Sequence, residues 1–325
     1  MHLSFRMNEP ALPLDDPPST PVHRPVLLEE VVSWLAPEEG SILVDGTVGA
    51  GGHASALAKL VGSTGRLIGL DRDPEMLALA ENAVEGLPVT LVNASYADLG
   101  NVLDRLEIEG VDGIVLDLGL SSDQLAWTHR GFSFSEDGPL DMRFDPRTRE
   151  SAADLVNDLD EKELADLIFE YGEERHSRRI AKRIVEARRV EPIVTTARLA
   201  EVVRKGVPGK WGAIDPSTRT FQALRIAVNG ELEALDQFLL DVASYLNPGG
   251  KAAIISFHSL EDRRVKHSFR EDPGLTVLTR KPVTATAQEL ATNPRARSAK
   301  LRVAQRCPDP NGPSTSPKTG PTRDH

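Results

Sequence analysis

Residues 41–54, Ser41-Ile-Leu-Val-Asp-Gly-Thr-Val-Gly-Ala-Gly-Gly-His-Ala54, decide the fold. Ser41 to Asp45 is a short, apolar, β-branched run of the kind buried on both faces of a sheet. Gly46, Gly49, Gly51 and Gly52 mark a turn, and Ala54-Ser-Ala-Leu-Ala-Lys-Leu60 carries a helical pattern. Strand, glycine turn and helix open a nucleotide-binding βαβ unit. Glycine admits a tight turn and close approach of a ligand, and the helix N-terminus offers free N–H groups and the positive end of its dipole. Gly49-x-Gly51-x-x-Ala54 fits the dinucleotide fingerprint, and Asp71 follows Gly51 by twenty residues (71 − 51). An ordinary glycine-rich turn would share the first feature. The acid at the next strand end tips the reading toward a nucleotide site.

Working outward, His23-Arg-Pro-Val-Leu-Leu-Glu-Glu-Val-Val-Ser-Trp-Leu35 is an amphipathic helix with an extended entry at Pro25. Strands follow at 66–71, 89–92 and 112–117, alternating with helices to about 84 and over 97–106; Asp73 and Pro74 form a helix start. This βαβαβαβ pattern predicts an α/β fold with a parallel sheet and helices on both faces. From 129 to 230 no buried strand occurs. A glycine-rich loop (Arg130 to Arg143) and helical patterns near 160–171, 176–190, 196–206 and 217–229 describe an inserted all-helical domain. Strand character returns at 252–257, after a helix ending at Asn247-Pro-Gly-Gly250. Segments 275–278 and 301–304 complete the sheet, the last pair antiparallel. The expected organisation is a core over 21–128 and 231–307, the insert over 129–230, and disordered tails over 1–20 and 308–325.

The 325 residues can bury a substantial core, and 40% hydrophobic with 27% charged residues is a soluble globular composition. No apolar run reaches the length of a membrane span, and the first twenty residues lack the apolar region of a signal peptide. The single cysteine, Cys307, excludes internal disulfides and a cysteine-based zinc site, and no metal is expected. A bacterial-type cytoplasm is the simplest compartment. The net charge of −11 argues against nucleic acid as a partner, yet charge is uneven. Between Arg175 and Arg189 stand seven Lys/Arg against one acid, Glu186, and Arg295, Arg297, Lys300, Arg302 and Arg306 form a second basic cluster. A local patch, not the total, decides where a phosphate backbone docks.

Ligands of open α/β sheets sit beyond the carboxyl ends of the strands. Those ends supply Asp45 and the glycine turn, Asp71, Asn93 to Tyr96, Asp117 to Gln124, and Phe257-His258-Ser259. One carboxylate can accept both ribose hydroxyls of a nucleoside, a role for Asp71, because Asp73 already serves as the helix cap. Tyr96 fits a half-buried loop aromatic as well as a stacking platform. His53 is a lining residue, Ser259-x-x-Asp262 a capping box, and His258 a weaker catalytic candidate. Phe132 and Phe134 seal the hinge to the insert.

The chain resembles the bacterial S-adenosylmethionine-dependent methyltransferases that modify N4 of a cytidine in small-subunit ribosomal RNA. The resemblance rests on His23-x-Pro-Val-Leu-Leu-x-Glu-Val31, Asp45-Gly-Thr-x-Gly-x-Gly-Gly-His53, Asp71-Arg-Asp-Pro74 and Leu116-Asp-Leu-Gly-x-Ser-Ser122. It continues through Arg130-Gly-Phe-Ser-Phe134, Asp137-Gly-Pro-Leu-Asp-Met-Arg143, Tyr171-Gly-Glu-Glu-Arg175 and Thr218-Arg-Thr-Phe-Gln-Ala-Leu-Arg225. Ser256-Phe-His-Ser-Leu-Glu-Asp-Arg263 and Asn293-Pro-Arg-Ala-Arg-Ser-Ala-Lys-Leu-Arg302 complete the set. It implies a class I (Rossmann-like) methyltransferase fold with a helical insert for substrate recognition. It implies S-adenosylmethionine contacts at Gly51, Gly52, His53, Asp71, Tyr96, Asp117 and Gln124. Family members commonly carry Phe or Leu where Tyr96 stands, so the apolar contact is what carries over. The implied partner is small-subunit ribosomal RNA, in the assembled subunit or a late precursor, at a cytidine of the decoding region.

Cytosine N4 is a poor nucleophile because its lone pair is delocalised into the ring. An acceptor hydrogen-bonded to its N–H localises that pair. Amino-methyltransferases often place Asp/Asn-Pro-Pro-aromatic after the fourth strand. Here Asp117-Leu-Gly-Leu stands instead, so the motif leaves the accepting group open, and Asp117, at the end of a buried strand, is the best side-chain candidate. Two rivals share parts of the pattern. A nicotinamide dehydrogenase shares the glycine fingerprint but gives no reason for the basic insert. A non-catalytic RNA-binding protein needs the basic patches but not a nucleotide site.

Overall fold

The computed structural model describes residues 25–148, 150–207 and 215–308. Ile42–Asp45 (β1) pairs in parallel with Arg66–Asp71 (β2) on one side and Val111–Asp117 (β4) on the other. Val89–Asn93 (β3) lies outside β2 and Leu246–Ser256 (β5) outside β4, both parallel. Leu275–Val277 (β6) and Lys300–Arg306 (β7) are antiparallel to each other, and β7 is antiparallel to β5. The order is β3-β2-β1-β4-β5-β7-β6. Before β4 the helices are Leu28–Leu35 (α1), Gly52–Val61 (α2), Pro74–Ala83 (α3) and Leu99–Arg105 (α4). Ser122–Ala126 (α5) follows β4, and then come Ala152–Asp158 (α6), Glu161–Gly172 (α7), Ser177–Arg188 (α8), Thr196–Gly206 (α9) and Ser217–Asn229 (α10). Glu231–Tyr245 (α11), Ser259–Glu271 (α12) and Ala287–Thr292 (α13) belong to the last third.

Side chains alternate between the faces of a strand, so each strand feeds two cores. Leu43, Leu67, Val115 and Ile255 pack with α1, α2 and α3. Val44, Ile68, Ile114, Leu116 and Ile254 pack on the other face with α4, α11 and α12. Both faces are covered, which is why these strands read as continuous apolar runs. After β3 the chain crosses to the far side of β1, so the strand order reverses between β1 and β4. A ligand crevice opens at the carboxyl ends of strands at such a point.

A third core stands apart from the sheet. Phe132, Leu140, Met142 and the inward faces of α6 to α10 form it. Helix α6 was not apparent in the sequence; it has only seven residues, held by a reciprocal Ser151–Asp154 capping box. Phe132 stacks on Phe144 with centroids 5.3 Å apart, and Phe134 sits edge-on to Phe221 at 4.7 Å. Both phenylalanines therefore pack into this third core.

Three sequence expectations need correction. Strand β5 begins at Leu246, not near 252: Asn247-Pro-Gly-Gly250 lies in a β-bulge, with Val111 opposite Leu246 and Gly113 opposite Lys251. A bulge accommodates a proline that the ladder cannot. The capping box of α12 is His258–Glu261, one residue earlier than Ser259–Asp262; Ser259 lies inside the helix and donates to Glu173. The second basic cluster is not an open surface. Arg302 is buried against Asp262 at 2.6 Å, Lys300 also meets Asp262, Arg306 donates to the Leu246 carbonyl, and Arg295 turns inward. Only Arg297 of the five is exposed. The tails expected at 1–20 and beyond Pro308 lie outside the described residues.

Candidate active site

The glycine turn after β1 spends five of its amides on the protein itself. Gly46 N–H donates to Val115 O (2.9 Å), Val48 N–H to Leu70 O (2.8 Å) and Gly51 N–H to Val48 O (2.8 Å). Thr47 N–H donates to Asp45 Oδ1 at 3.2 Å and Gly49 N–H to Asp71 Oδ2 at 2.9 Å. A diphosphate-binding loop needs such N–H groups aimed at the ligand. Here two of them are met by carboxylates, which would repel a diphosphate. The fit to the dinucleotide fingerprint is thus one of spacing only.

A cavity opens over this turn at the carboxyl ends of the strands, the place where open α/β sheets bind their ligands. It gathers Gly52, His53, Asp71, Tyr96, Asp117 and Gln124. Gly51 lies behind the wall. Its φ is +87°, and a Cβ there would sit 2.9 Å from the Ala83 Cβ, so it lets α2 pack against α3. Gly52 faces the cavity and also admits Pro25, whose Cγ would be 2.5 Å from an added Cβ.

Asp71 braces the turn: Oδ2 accepts from Gly49 N–H and Oδ1 from Asp73 N–H, both at 2.9 Å. Burial pushes its carboxyl up to about 6, with the two N–H donors pulling the other way. Asp45, beneath the turn, is pushed up to about 7, first by burial and further by Asp117 and Asp71. It is 1% exposed, and its Oδ2 has no hydrogen-bond partner among the described residues.

His53 is buried, its Nε2 3.0 Å from the Val26 carbonyl. A carbonyl only accepts, so Nε2 carries the proton and Nδ1 the lone pair. Burial lowers its pKa, so the ring is neutral and has no charge to offer a ligand. Tyr96 rests edge-on against Phe238 at 5.8 Å. Its hydroxyl reaches the Glu231 carbonyl only at 3.5 Å, and burial raises its pKa. The ring, not the hydroxyl, is its contribution. Gln124 is committed: Oε1 accepts from Ser121 N–H at 3.0 Å and Nε2 donates to Asp73 Oδ2 at 2.8 Å. Asp117 is fixed through its backbone, whose N–H donates to Thr47 Oγ1 at 2.6 Å. Its negative charge is felt by both His53 and Arg295.

The lining includes residues that sequence reasoning did not place at the site. Glu231 and Glu261 stand in the first turns of α11 and α12, Phe144 follows the glycine-rich loop, and Arg295 was read as part of the basic cluster. Only chain folding brings them to the cavity. Arg225 grips Glu231 with two bonds of 2.8 and 2.9 Å. Glu261 accepts from the N–H groups of Phe257 and His258, and its pKa, pushed up by burial, is brought below the ordinary value by His258 and Arg225. In all, Asp71, Asp117, Glu231 and Glu261 outnumber Arg72 and Arg295 in the wall. The balance favours a cation.

A parallel sheet with an antiparallel β6–β7 pair, and an acid-lined cavity at its reversal point, define a class I, S-adenosylmethionine-dependent methyltransferase. Comparison with known proteins takes this further. Residues 20–307 match the MraW methylase family, and the chain belongs to that family. Relatives named ribosomal RNA small subunit methyltransferase H include one from Deinococcus radiodurans, 50% identical over 91% of this chain and 93% of its own length. Another, from Kosmotoga olearia, is 49% identical over 87% of this chain and 97% of its own.

Proposed function

We propose that this chain transfers a methyl group from S-adenosylmethionine to the N4 amine of a cytidine in small-subunit ribosomal RNA. The observation that carries the reading is the carboxylate-lined cavity over the glycine turn, in a chain of the MraW methylase family. S-adenosylmethionine supplies an electrophilic methyl on a sulfonium cation. The wall suits it: each Asp71 oxygen uses one N–H donor and keeps acceptor capacity for ribose hydroxyls. Gly52 admits close approach, the Tyr96 ring gives an apolar face, and the acidic lining tolerates a cation.

The protein's task toward the amine is to localise its lone pair. Asp117 ends β4 beside the turn and is the side-chain acceptor best placed for a cytosine N4–H. Withdrawal from water strengthens that hydrogen bond.

RNA docking falls to the segment between β4 and β5, which we assign to substrate recognition. On α8 and just before it, Arg175, Arg178, Arg179 and Lys182 are exposed, and none joins an ion pair among the described residues. Arg188 differs, turning back to the carbonyls of Val156 and Leu159. The sequence resemblance directs the reading to an assembled or nearly assembled subunit, at a cytidine of the decoding region. The test is mass spectrometry of nucleosides from small subunits incubated with the protein and S-adenosylmethionine. N4-methylcytidine is the expected product, and its absence from every form of the subunit overturns the proposal.

A further inference from the structure

The cavity has two ends set by the order of the strands. Asp71 and Tyr96 mark the β2–β3 end. Asp117, Leu120 and Arg295 mark the end toward β4 and β5. Strands lie about 4.8 Å apart, so β2 and β4, which flank β1, end roughly 10 Å from each other. A nucleoside held at Asp71 leaves the β4–β5 end for the methyl acceptor.

Arg295 reaches that end from a short 3-10 turn, Pro294–Ser298. Its guanidinium lies 5.5 Å over the Phe257 ring and donates to the Leu120 carbonyl. Asp117 and Asp123 both act on it electrostatically, and the charges of Asp117 and Arg295 both reach His53, so the three share one corner. A surface cation docking phosphates would not be drawn under a loop in this way.

The chemistry of that corner matches one base. Along its Watson–Crick edge cytosine presents a donor at N4 and acceptors at N3 and O2. A carboxylate beside a guanidinium presents an acceptor and then donors, the complement of that edge. Uracil presents acceptor, donor, acceptor, which sets O4 against the carboxylate and N3–H against the guanidinium. We infer that Arg295 and Asp117 together read the target base, Arg295 donating to the N3/O2 side while Asp117 accepts from N4–H. The inference rests on the cytidine-N4 reading above and makes Arg295 a specificity-determining residue.

The test uses the full chain and small subunits reconstituted with cytidine or 3-deazacytidine, which lacks the N3 acceptor, at the methylated position. For the parent the analogue should lower kcat/KM at least about tenfold. Arg295→Gln should lower kcat/KM on normal subunits by a similar factor or more, and the analogue should then cost it less than about threefold. Affinity for S-adenosylmethionine, by calorimetry, should stay within about twofold. Arg295→Lys keeps a cation beside Asp117 and Phe257, and serves if the glutamine variant does not fold; it should show the same reduced analogue penalty. An undiminished penalty in a folded variant makes Arg295 structural and overturns the inference. Loss of cofactor affinity in step with activity makes it a cofactor ligand and also overturns it. A parent that makes no N4-methylcytidine overturns the underlying reading instead.

Discussion

The guanidinium of Arg130 closes on the carboxylate of Asp73, Nη2 to Oδ2 at 2.9 Å and Nη1 to Oδ1 at 3.3 Å, with both side chains withdrawn from solvent. Asp73 also caps α3 through Glu75 N–H and receives Gln124 Nε2. Arg130 further donates to the carbonyls of Arg143 and Phe144. One buried pair thus ties the β2 end of the cavity to the start of the helical segment.

Removing one partner leaves the other charged and buried. Arg130→Ala should therefore cost about 3–5 kcal/mol of stability, measured by urea unfolding. Arg130→Lys should recover little, because an ammonium cannot form the planar two-bond contact. A loss below about 1 kcal/mol for the alanine variant would show that water replaces the guanidinium.

Asp71 should lose about 1.5–3 kcal/mol of S-adenosylmethionine affinity on replacement by Ala, the scale of hydrogen bonds to a charged group. Its carboxyl titrates near 6, and hydroxyl donors prefer the ionised form. Affinity should therefore weaken as pH falls below about 6 and level off above it, and Asp71→Asn should lose this dependence. Calorimetry across pH 5 to 7 checks both; a parent-like pH profile in the variant would remove Asp71 from the binding site.

Asp45 gives a stability effect of the opposite sign to a salt-bridged acid. Its folded pKa, about 7, lies above the ordinary 3.8. The folded state therefore binds more protons than the unfolded chain between those values. The stability it contributes is complete below about 3.8 and is lost as pH rises through about 7. Asp45→Asn should gain on the parent in urea unfolding between pH 5 and 8, whereas parallel curves would mean that Asp45 stays ionised throughout.

Sheet and glycine turn were legible because both rest on local pattern: buried strands read as apolar runs, and Asp71 stands at a strand end. The fingerprint spacing pointed to a nucleotide site but could not reveal that Gly49 N–H is held by Asp71. Arg295 and Glu261 were not legible as lining, because long-range packing alone separates a cavity wall from a basic cluster or a helix start. Ser259 missed the cap by one residue because a histidine ring replaces the usual short side chain.

For RNA, replacing Arg178, Arg179 and Lys182 on α8 by Gln should lower affinity for small-subunit RNA. Every phosphate no longer neutralised should flatten the slope of log K against log salt by about 0.7–0.9. Cofactor affinity should not move, because these residues lie outside the cavity lining. An unchanged slope would make this a solvated helix face.

The final prediction concerns the atom that is methylated. Methylation at cytosine C5 commonly needs a thiolate to attack C6 first. Cys307 is the only cysteine in the chain. It follows β7, which runs antiparallel to β5 with Lys300 opposite Ser256 and Gln305 opposite Lys251. The steps along the strand from Lys300 to Cys307, at about 3.3 Å each, carry it roughly 20 Å from the carboxyl ends where the cavity opens. There Sγ lies near Thr276 Oγ1 and the Pro273 carbonyl. A thiolate at the opposite end of the strands cannot reach a base beside Asp117, whereas an amine target needs only an acceptor. Cys307→Ser should therefore keep full activity. Asp117→Asn should lose turnover while unfolding as cooperatively as the parent, because its backbone bond to Thr47 is retained. 5-Methylcytidine in the digested RNA, or an inactive Cys307→Ser protein, would defeat the N4 mechanism.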